Sequence, residues 1–92
     1  MRISWSRDAV RDLQAIYDYL DQHDPRAAVR ALQAIREKAL LLQEFPNLGP
    51  PLDGGTRRLS VTGAPYVIVY ETQPDRLSVL RVFDTRQDWL KQ

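Results

Sequence analysis

Residues 66–70 read Tyr66-Val67-Ile68-Val69-Tyr70, a run of aromatic and β-branched residues that is apolar at every position. Side chains alternate between the two faces of a β-strand, so this strand needs apolar cover on both faces. Strands of that kind lie in the middle of a sheet. The run therefore predicts a central β-strand over residues 65–72.

Two further strands are predicted on either side of this one along the chain. These strands cover residues 56–61 and residues 77–83, and each is joined to the central strand by a short turn that contains Gly or Pro. Strict alternation in the last strand predicts that Arg81 and Phe83 share a face with Leu77 and Val79.

Two helices are predicted in the first half of the chain, over residues 7–22 and 25–45, from apolar residues at helical spacing. Ser6 and Asp24 are residue types that cap helix N-termini, and Pro25 suits the first helical position. Because the connection is short, we expect an antiparallel helical hairpin. The predicted apolar stripe of the second helix is Ala28, Leu32, Ile35, Ala39 and Leu42.

A short strand at residues 2–5 precedes the helices, so the predicted order is βααβββ. Helices followed by a meander of strands indicate an α+β fold, with the helical hairpin packed on one face of a small antiparallel sheet. Three Pro and three Gly predict a loop at residues 46–55, and a short helical turn containing Trp89 is expected in the tail. No linker or repeat divides residues 1–92, which predicts a single domain.

The composition excludes several classes of protein. Hydrophobic residues make up 43% and charged residues 27%, which is typical of a globular domain and not of a disordered one. With no Cys and one His, we expect no disulfide, no zinc site and no cofactor. No segment has the apolar length of a membrane span or a signal peptide, which predicts a cytoplasmic protein without a membrane partner.

The charge balance gives a weak indication about partners. The net charge is +1, and residues 54–92 carry six basic and four acidic side chains. This distribution permits a local basic patch, but it is not that of a general nucleic-acid binder.

Four segments carry a family pattern: residues 9–20 of the first helix, the loop Pro46-Asn47-Leu48-Gly49, residues 57–70, and residues 80–89. Their order and spacing resemble the ParE/RelE superfamily of type II toxins, and the four together span nearly the whole chain. The resemblance implies a toxin in a hetero-oligomer with a cognate ParD-like or RelB-like antitoxin, which binds it and blocks it. RelE-like members cut mRNA in the ribosomal A site, whereas ParE-like members inhibit DNA gyrase and do no chemistry.

Two positions favour the gyrase target. Nucleolytic members of the superfamily commonly place Arg at the position of Val67 and His at the position of Asp84. RNA cleavage needs groups that stabilise charge on the phosphate and that transfer protons. The chain is therefore more similar to ParE than to RelE, and we predict a gyrase inhibitor. A ribosome-dependent mRNA endonuclease and an inactive, antitoxin-binding remnant stay as alternatives.

Two sets of site residues are predicted, and neither set is catalytic. The target-binding candidates are basic side chains in the second half of the chain: Arg57, Arg58, Arg81 and Arg86. Edge protection of the sheet is the alternative role for Arg57 and Arg58, and a salt bridge is the alternative for Arg81. The antitoxin-binding candidates are apolar or aromatic residues of the first half: Trp5, Tyr17, Val29, Leu40 and Leu41. The last three lie off the main stripe of the second helix, where uncovered apolar surface marks a partner site.

Overall fold

The computed structural model describes residues 2–86 and has the predicted βααβββ order. The predicted turn around Trp89 lies outside the described residues. The elements are β1 (Arg2–Trp5), α1 (Arg7–Asp21), α2 (Pro25–Glu44), β2 (Thr56–Ser60), β3 (Tyr66–Gln73) and β4 (Arg76–Asp84), with a 3-10 turn at Asp53–Gly55.

Both helices begin at the predicted caps. The Ser6 hydroxyl accepts a hydrogen bond from the Ala9 amide at 3.0 Å, and the Asp24 carboxylate accepts from the amides of Arg26 and Ala27. These bonds satisfy amides that have no partner within the helix. The two helices pack against each other, and α1 also packs on β4. No helix within residues 2–86 has the length and apolar character needed to cross a bilayer.

The four strands form one sheet in the order β1-β4-β3-β2. As predicted, β3 is an inner strand, and it runs antiparallel to both β2 and β4. However, β1 pairs with β4 in parallel, so the sheet is mixed, and the expectation of a wholly antiparallel sheet was wrong. The reason is that β1 is followed by the two helices instead of a tight turn, so the connection does not force it to run antiparallel.

The helices cover one face of the sheet, and the core lies between them. From α2 it receives Ala28, Ala31, Ile35, Ala39 and Leu42, while Leu32 is only half-buried. The predicted stripe of α2 is thus correct except at Leu32. The sheet contributes Leu59 from β2, Tyr66, Ile68 and Tyr70 from β3, and Leu77, Val79 and Val82 from β4.

A β-bulge in β4 corrects the predicted faces of that strand. Val69 pairs with Arg81, but the next residue of β3, Tyr70, pairs with Val79, so Leu80 is an extra residue without a partner position in β3. An extra residue inverts the alternation beyond it. Arg81 and Phe83 therefore lie on the face opposite to Leu77 and Val79, and not on the same face as strict alternation predicted.

Candidate functional site

In the strand register Arg58 and Arg81 are on the face of the sheet away from the helical core, and the Arg81 guanidinium lies at the β4 edge beside α1. In the strand register Arg58 pairs with Val69, and Val69 pairs with Arg81, so the three side chains form one row across β2, β3 and β4. Phe83 lies on the same face, with the Arg81 guanidinium carbon 4.7 Å from the centre of its ring. The structure thus brings together two of the four predicted target-binding arginines, and it places an aromatic ring beside one of them.

The Asp12 carboxylate holds Arg81 in place. Arg81 donates from Nε at 2.8 Å and from Nη2 at 3.0 Å, and the backbone amide of Val82 donates to the same carboxylate at 2.8 Å. Its hydrogen bonds to Asp12 raise the pKa of the Arg81 guanidinium, which stabilises its charge. Asp12 was not among the predicted site residues, although its spacing from Ala9 and Ile16 places it on the apolar side of α1. A carboxylate on the apolar side of a helix was the feature of the sequence that could have identified Asp12 as a site residue.

Asp12 also completes the hydrogen bonding of the β4 edge. The strand β1 pairs only with residues 76–79 of β4. Beyond that point the Ser6 amide donates to the Val79 carbonyl at 2.9 Å, the Ser6 hydroxyl donates to the Leu80 carbonyl at 2.7 Å, and Asp12 accepts from Val82. The start of α1 thus continues the hydrogen bonding of β1 along the β4 edge. It satisfies backbone groups of β4 that β1 does not reach.

Arg57 lies on the covered face and binds a loop. It pairs with Tyr70 in the register, and its Nη1 donates to the Gly49 carbonyl at 2.8 Å. The Tyr70 hydroxyl accepts from the Gly49 amide at 3.0 Å and donates to the Pro46 carbonyl at 2.8 Å. Arg57 and Tyr70 together fasten the Pro46–Gly49 turn to the sheet, so the structure gives Arg57 an internal set of partners away from Arg58 and Arg81.

Arg86 pairs with Asp84 at the end of β4. The Arg86 Nε and Nη2 donate to this carboxylate at 3.1 and 2.9 Å, and the Arg86 amide donates to it at 2.9 Å. Asp84 is 7% exposed, and its hydrogen bonds raise the pKa of the Arg86 guanidinium. The basic charge of Arg86 is therefore balanced within the chain.

A cleft of about 380 Å³ lies between α1 and the far end of β4, lined by Tyr19, Tyr66 and Asp84 among others. Burial raises the pKa of the Tyr66 phenol, the Asp84 carboxylate raises it further, and Arg86 opposes the change. The only His of the chain, His23, lies on the helix connection and contacts the Tyr19 ring edge-on at 5.6 Å. In residues 2–86 no group of three His, Asp or Glu side chains could hold a metal ion.

The raised pKa of Tyr66 predicts a loss of stability in alkali. A folded-state pKa above the ordinary value of 10.0 means that the folded chain holds this proton more tightly than the unfolded chain. The resulting stability is fully present below pH 10 and falls as the pH rises through the folded pKa. We expect the free energy of unfolding of Tyr66→Phe to fall less steeply above pH 10 than that of the natural chain. Parallel slopes in urea titrations across this range would contradict the assignment.

An apolar groove collects three of the five predicted antitoxin contacts. Trp5, Tyr17 and Val29 line a depression of about 450 Å³ where β1, α1 and α2 meet. Its other lining residues, none of which was predicted as a partner contact, are Leu13, Leu32, Gln33, Ile35 and Arg36.

The two remaining antitoxin candidates lie further along α2. Leu40 follows Val29 and Arg36 at helical spacing, so it extends the side of α2 that carries the groove. Leu41 is the next residue in the chain, so it lies on a different side of the helix. Both are exposed, at 45% and 38%, as is Val29 at 47%. Leu40 is therefore continuous with the groove, and Leu41 is not.

Comparisons with known proteins identify the family of this chain. A family profile described as "ParE toxin of type II toxin-antitoxin system, parDE" matches residues 3–89. The chain is 35% identical over 89 residues to the proposed toxin Y4kP of Sinorhizobium fredii, covering 96% of this chain and 92% of the relative. It is 35% identical over 81 residues to Toxin RelE2 of Caulobacter vibrioides, covering 88% of this chain and 91% of that protein.

A solved structure from the chromosomal ParDE toxin–antitoxin system of P. aeruginosa has the same fold. It superposes with a TM-score of 0.83 at 31% sequence identity, over 91% of this chain and 95% of that one. The sequence match, the shared fold and the mixed four-stranded sheet under a helical hairpin lead to one conclusion. The chain belongs to the ParE toxin family of type II toxin–antitoxin systems, within the ParE/RelE superfamily.

Proposed function

We propose that this toxin acts by binding and inhibiting DNA gyrase, and that it does not cut RNA. The observation that carries the proposal is that both arginines near the end of β4 are paired with carboxylates. Arg81 is paired with Asp12, and Arg86 is paired with Asp84. A nuclease needs cations directed at the phosphate and a group that transfers protons, and here two carboxylates already occupy two of the four candidate arginines.

The residues at the two diagnostic positions also support an inhibitor. Val67 is buried and apolar, so it offers no charge to a phosphate. Asp84 is a buried carboxylate bonded to Arg86, and a carboxylate at this place repels phosphate. Binding to a protein target requires neither a phosphate clamp nor a general acid, so both positions are compatible with it.

One relative favours the alternative of mRNA cleavage. Toxin RelE2 of Caulobacter vibrioides bears the RelE name and is 35% identical to this chain. The P. aeruginosa ParDE chain, at 31% identity and a TM-score of 0.83, bears the ParDE name. Because the names of these two similar proteins point to different targets, the pairing of the arginines is the stronger guide, and it supports the gyrase target.

The paired assay that separates these functions uses one toxin preparation. The toxin is titrated into purified gyrase with relaxed plasmid and, in parallel, into ribosomes that carry mRNA. We expect gyrase inhibition with intact mRNA. Cut mRNA with unaffected gyrase would reverse the proposal, and two unaffected reactions would favour the inactive remnant that binds only its antitoxin.

We also propose that the groove between β1, α1 and α2 receives the antitoxin. Its lining is mostly apolar, and the exposed Val29 and Leu40 extend it along α2. An amphipathic segment that folds on binding would cover this surface with side chains at helical spacing. Trp5 and Tyr17 on the groove wall are residue types that often dominate binding energy in interfaces.

A charge placed in the groove should abolish antitoxin binding. We expect Val29→Glu to weaken antitoxin affinity about 100-fold, because an unpaired carboxylate would be buried in the complex. Leu48→Glu is the matched control, since Leu48 is an equally exposed apolar side chain, at 45% against 47%, that lies in the loop after α2 and does not line the groove. Isothermal titration with the cognate antitoxin measures both, and equal affinities for the two variants would disprove this location.

A further inference from the structure

We infer that the open face of the sheet, formed by Arg58, Val69, Arg81 and Phe83, docks a protein segment that presents a carboxylate beside an apolar side chain. We call this surface the arginine row. The inference rests on the proposed function, because such a segment would belong to gyrase. It assigns the contact to the face of the sheet away from the helical core, with Arg81 and Phe83 at the β4 edge beside α1.

The arginine row has a spacing that suits one extended segment. Arg58, Val69 and Arg81 occupy directly paired positions on three adjacent strands. Neighbouring strands lie about 4.8 Å apart, so the two arginine backbones are separated by roughly 10 Å. The half-buried Val69 lies between them, and Phe83 occupies the next row beside Arg81. The surface is thus an apolar strip bounded by two guanidinium groups.

Arg81 is already fixed in its binding position before a partner arrives. Its Nε and Nη2 are bonded to Asp12, and its guanidinium lies against the Phe83 ring. The side chain nevertheless stays 44% exposed. A long side chain that is held in place loses little conformational entropy on binding, which favours affinity. Asp12 is therefore a positioning residue for this surface.

The charge balance of this face favours a protein over a nucleic acid. Within residues 2–86, Arg58 has no carboxylate partner, whereas Arg81 is countered by Asp12. Glu71 follows Val69 two residues along β3, so it adds a negative charge to the same face. A nucleic-acid strand carries a phosphate at every nucleotide and needs several uncompensated cations. One exposed arginine beside apolar side chains instead matches a single carboxylate in an otherwise apolar segment.

The test is a charge reversal at Arg58 with a matched control on α1. Arg58→Glu and Arg58→Ala are compared with Arg11→Glu, because both arginines are exposed and Arg11 lies outside the arginine row. Each variant is titrated into the gyrase supercoiling reaction at low and at high salt. Antitoxin affinity of each variant is measured as the check on folding, because the antitoxin groove lies on another surface of the molecule.

We expect Arg58→Glu to need at least tenfold more toxin for half-inhibition, Arg58→Ala to need a smaller excess, and Arg11→Glu to match the natural chain. Antitoxin affinity should be unchanged in all three. If the natural chain inhibits gyrase and Arg58→Glu inhibits it equally, the arginine row is not the contact, although the proposed function stands. If the natural chain leaves gyrase active, the proposed function fails and this inference fails with it. If the natural chain cuts mRNA in the paired assay and Arg58→Glu does not, the face belongs to a nucleic-acid contact and the inference is overturned.

Discussion

A Gly49→Ala variant is expected to lose about 3 kcal/mol of its free energy of unfolding. A Cβ at this position would overlap the Arg58 carbonyl oxygen, and it would lie 2.9 Å from the Arg58 carbonyl carbon and 3.0 Å from the Tyr70 hydroxyl. The nearest atoms belong to the backbone of β2, which cannot rotate away as a flexible side chain can. The loop must therefore move, and it would lose its bonds to Tyr70 and Arg57.

Gly54→Ala is the control for the Gly49 prediction. Gly54 has a φ of 77°, and a methyl group at its Cα would have no atom within 4 Å beyond its own residue and its two chain neighbours, so the substitution meets only backbone strain. That strain costs about 1–2 kcal/mol. Urea unfolding of both variants and the natural chain separates the two costs. If Gly49→Ala were as stable as Gly54→Ala, the close approach of the loop to β2 would not have the importance assigned to it.

An Asp12→Ala variant is expected to lose about 3 kcal/mol of its free energy of unfolding. The substitution removes two bonds to Arg81 and one to the Val82 amide, and it leaves that amide unsatisfied at the edge of β4. The carboxylate is only 16% exposed, so water replaces it poorly, whereas the more exposed Arg81 recovers part of its solvation. Most of the cost therefore comes from the edge of the sheet.

Asp18→Ala is the matched control for Asp12, since Asp18 is an exposed aspartate on the same helix. Its removal should change the free energy of unfolding by no more than about 0.5 kcal/mol. A double-mutant cycle of Asp12→Ala with Arg81→Ala then measures the share of the ion pair. An Asp12→Ala variant as stable as Asp18→Ala would mean that α1 does not support the β4 edge.

Much of the fold could be predicted because its signals are local. Ser6, Asp24 and Pro25 fixed both helix beginnings to the residue, since a cap depends on three or four neighbouring positions. The central strand was evident from residues 66–70, because a run that is apolar on both faces has few other places in a small domain.

The features that could not be predicted depend on long-range pairing. The parallel direction of β1 follows from the register between residues 2–5 and 76–79, which no local pattern encodes. The bulge at Leu80 arises where the register of β4 with β3 shifts by one residue, and it reversed the predicted face of Arg81. Alternation by itself holds only while the register is unbroken.

The candidate site divides in the same way. Val29 was predictable from its position off the core stripe of α2, and it lines one groove together with Trp5 and Tyr17. The arginines were identified by residue type, but their partners were not, because Asp12 and Arg81 are 69 positions apart in the chain. Because of this ion pair, Arg81 is a fixed contact and not a mobile cation.

The most direct test of the proposed gyrase target is the supercoiling of relaxed plasmid by purified gyrase in the presence of increasing toxin. We predict that supercoiling falls with toxin concentration and is restored when one equivalent of the cognate antitoxin is added. Full supercoiling at a large molar excess of toxin that still binds its antitoxin would contradict the proposal.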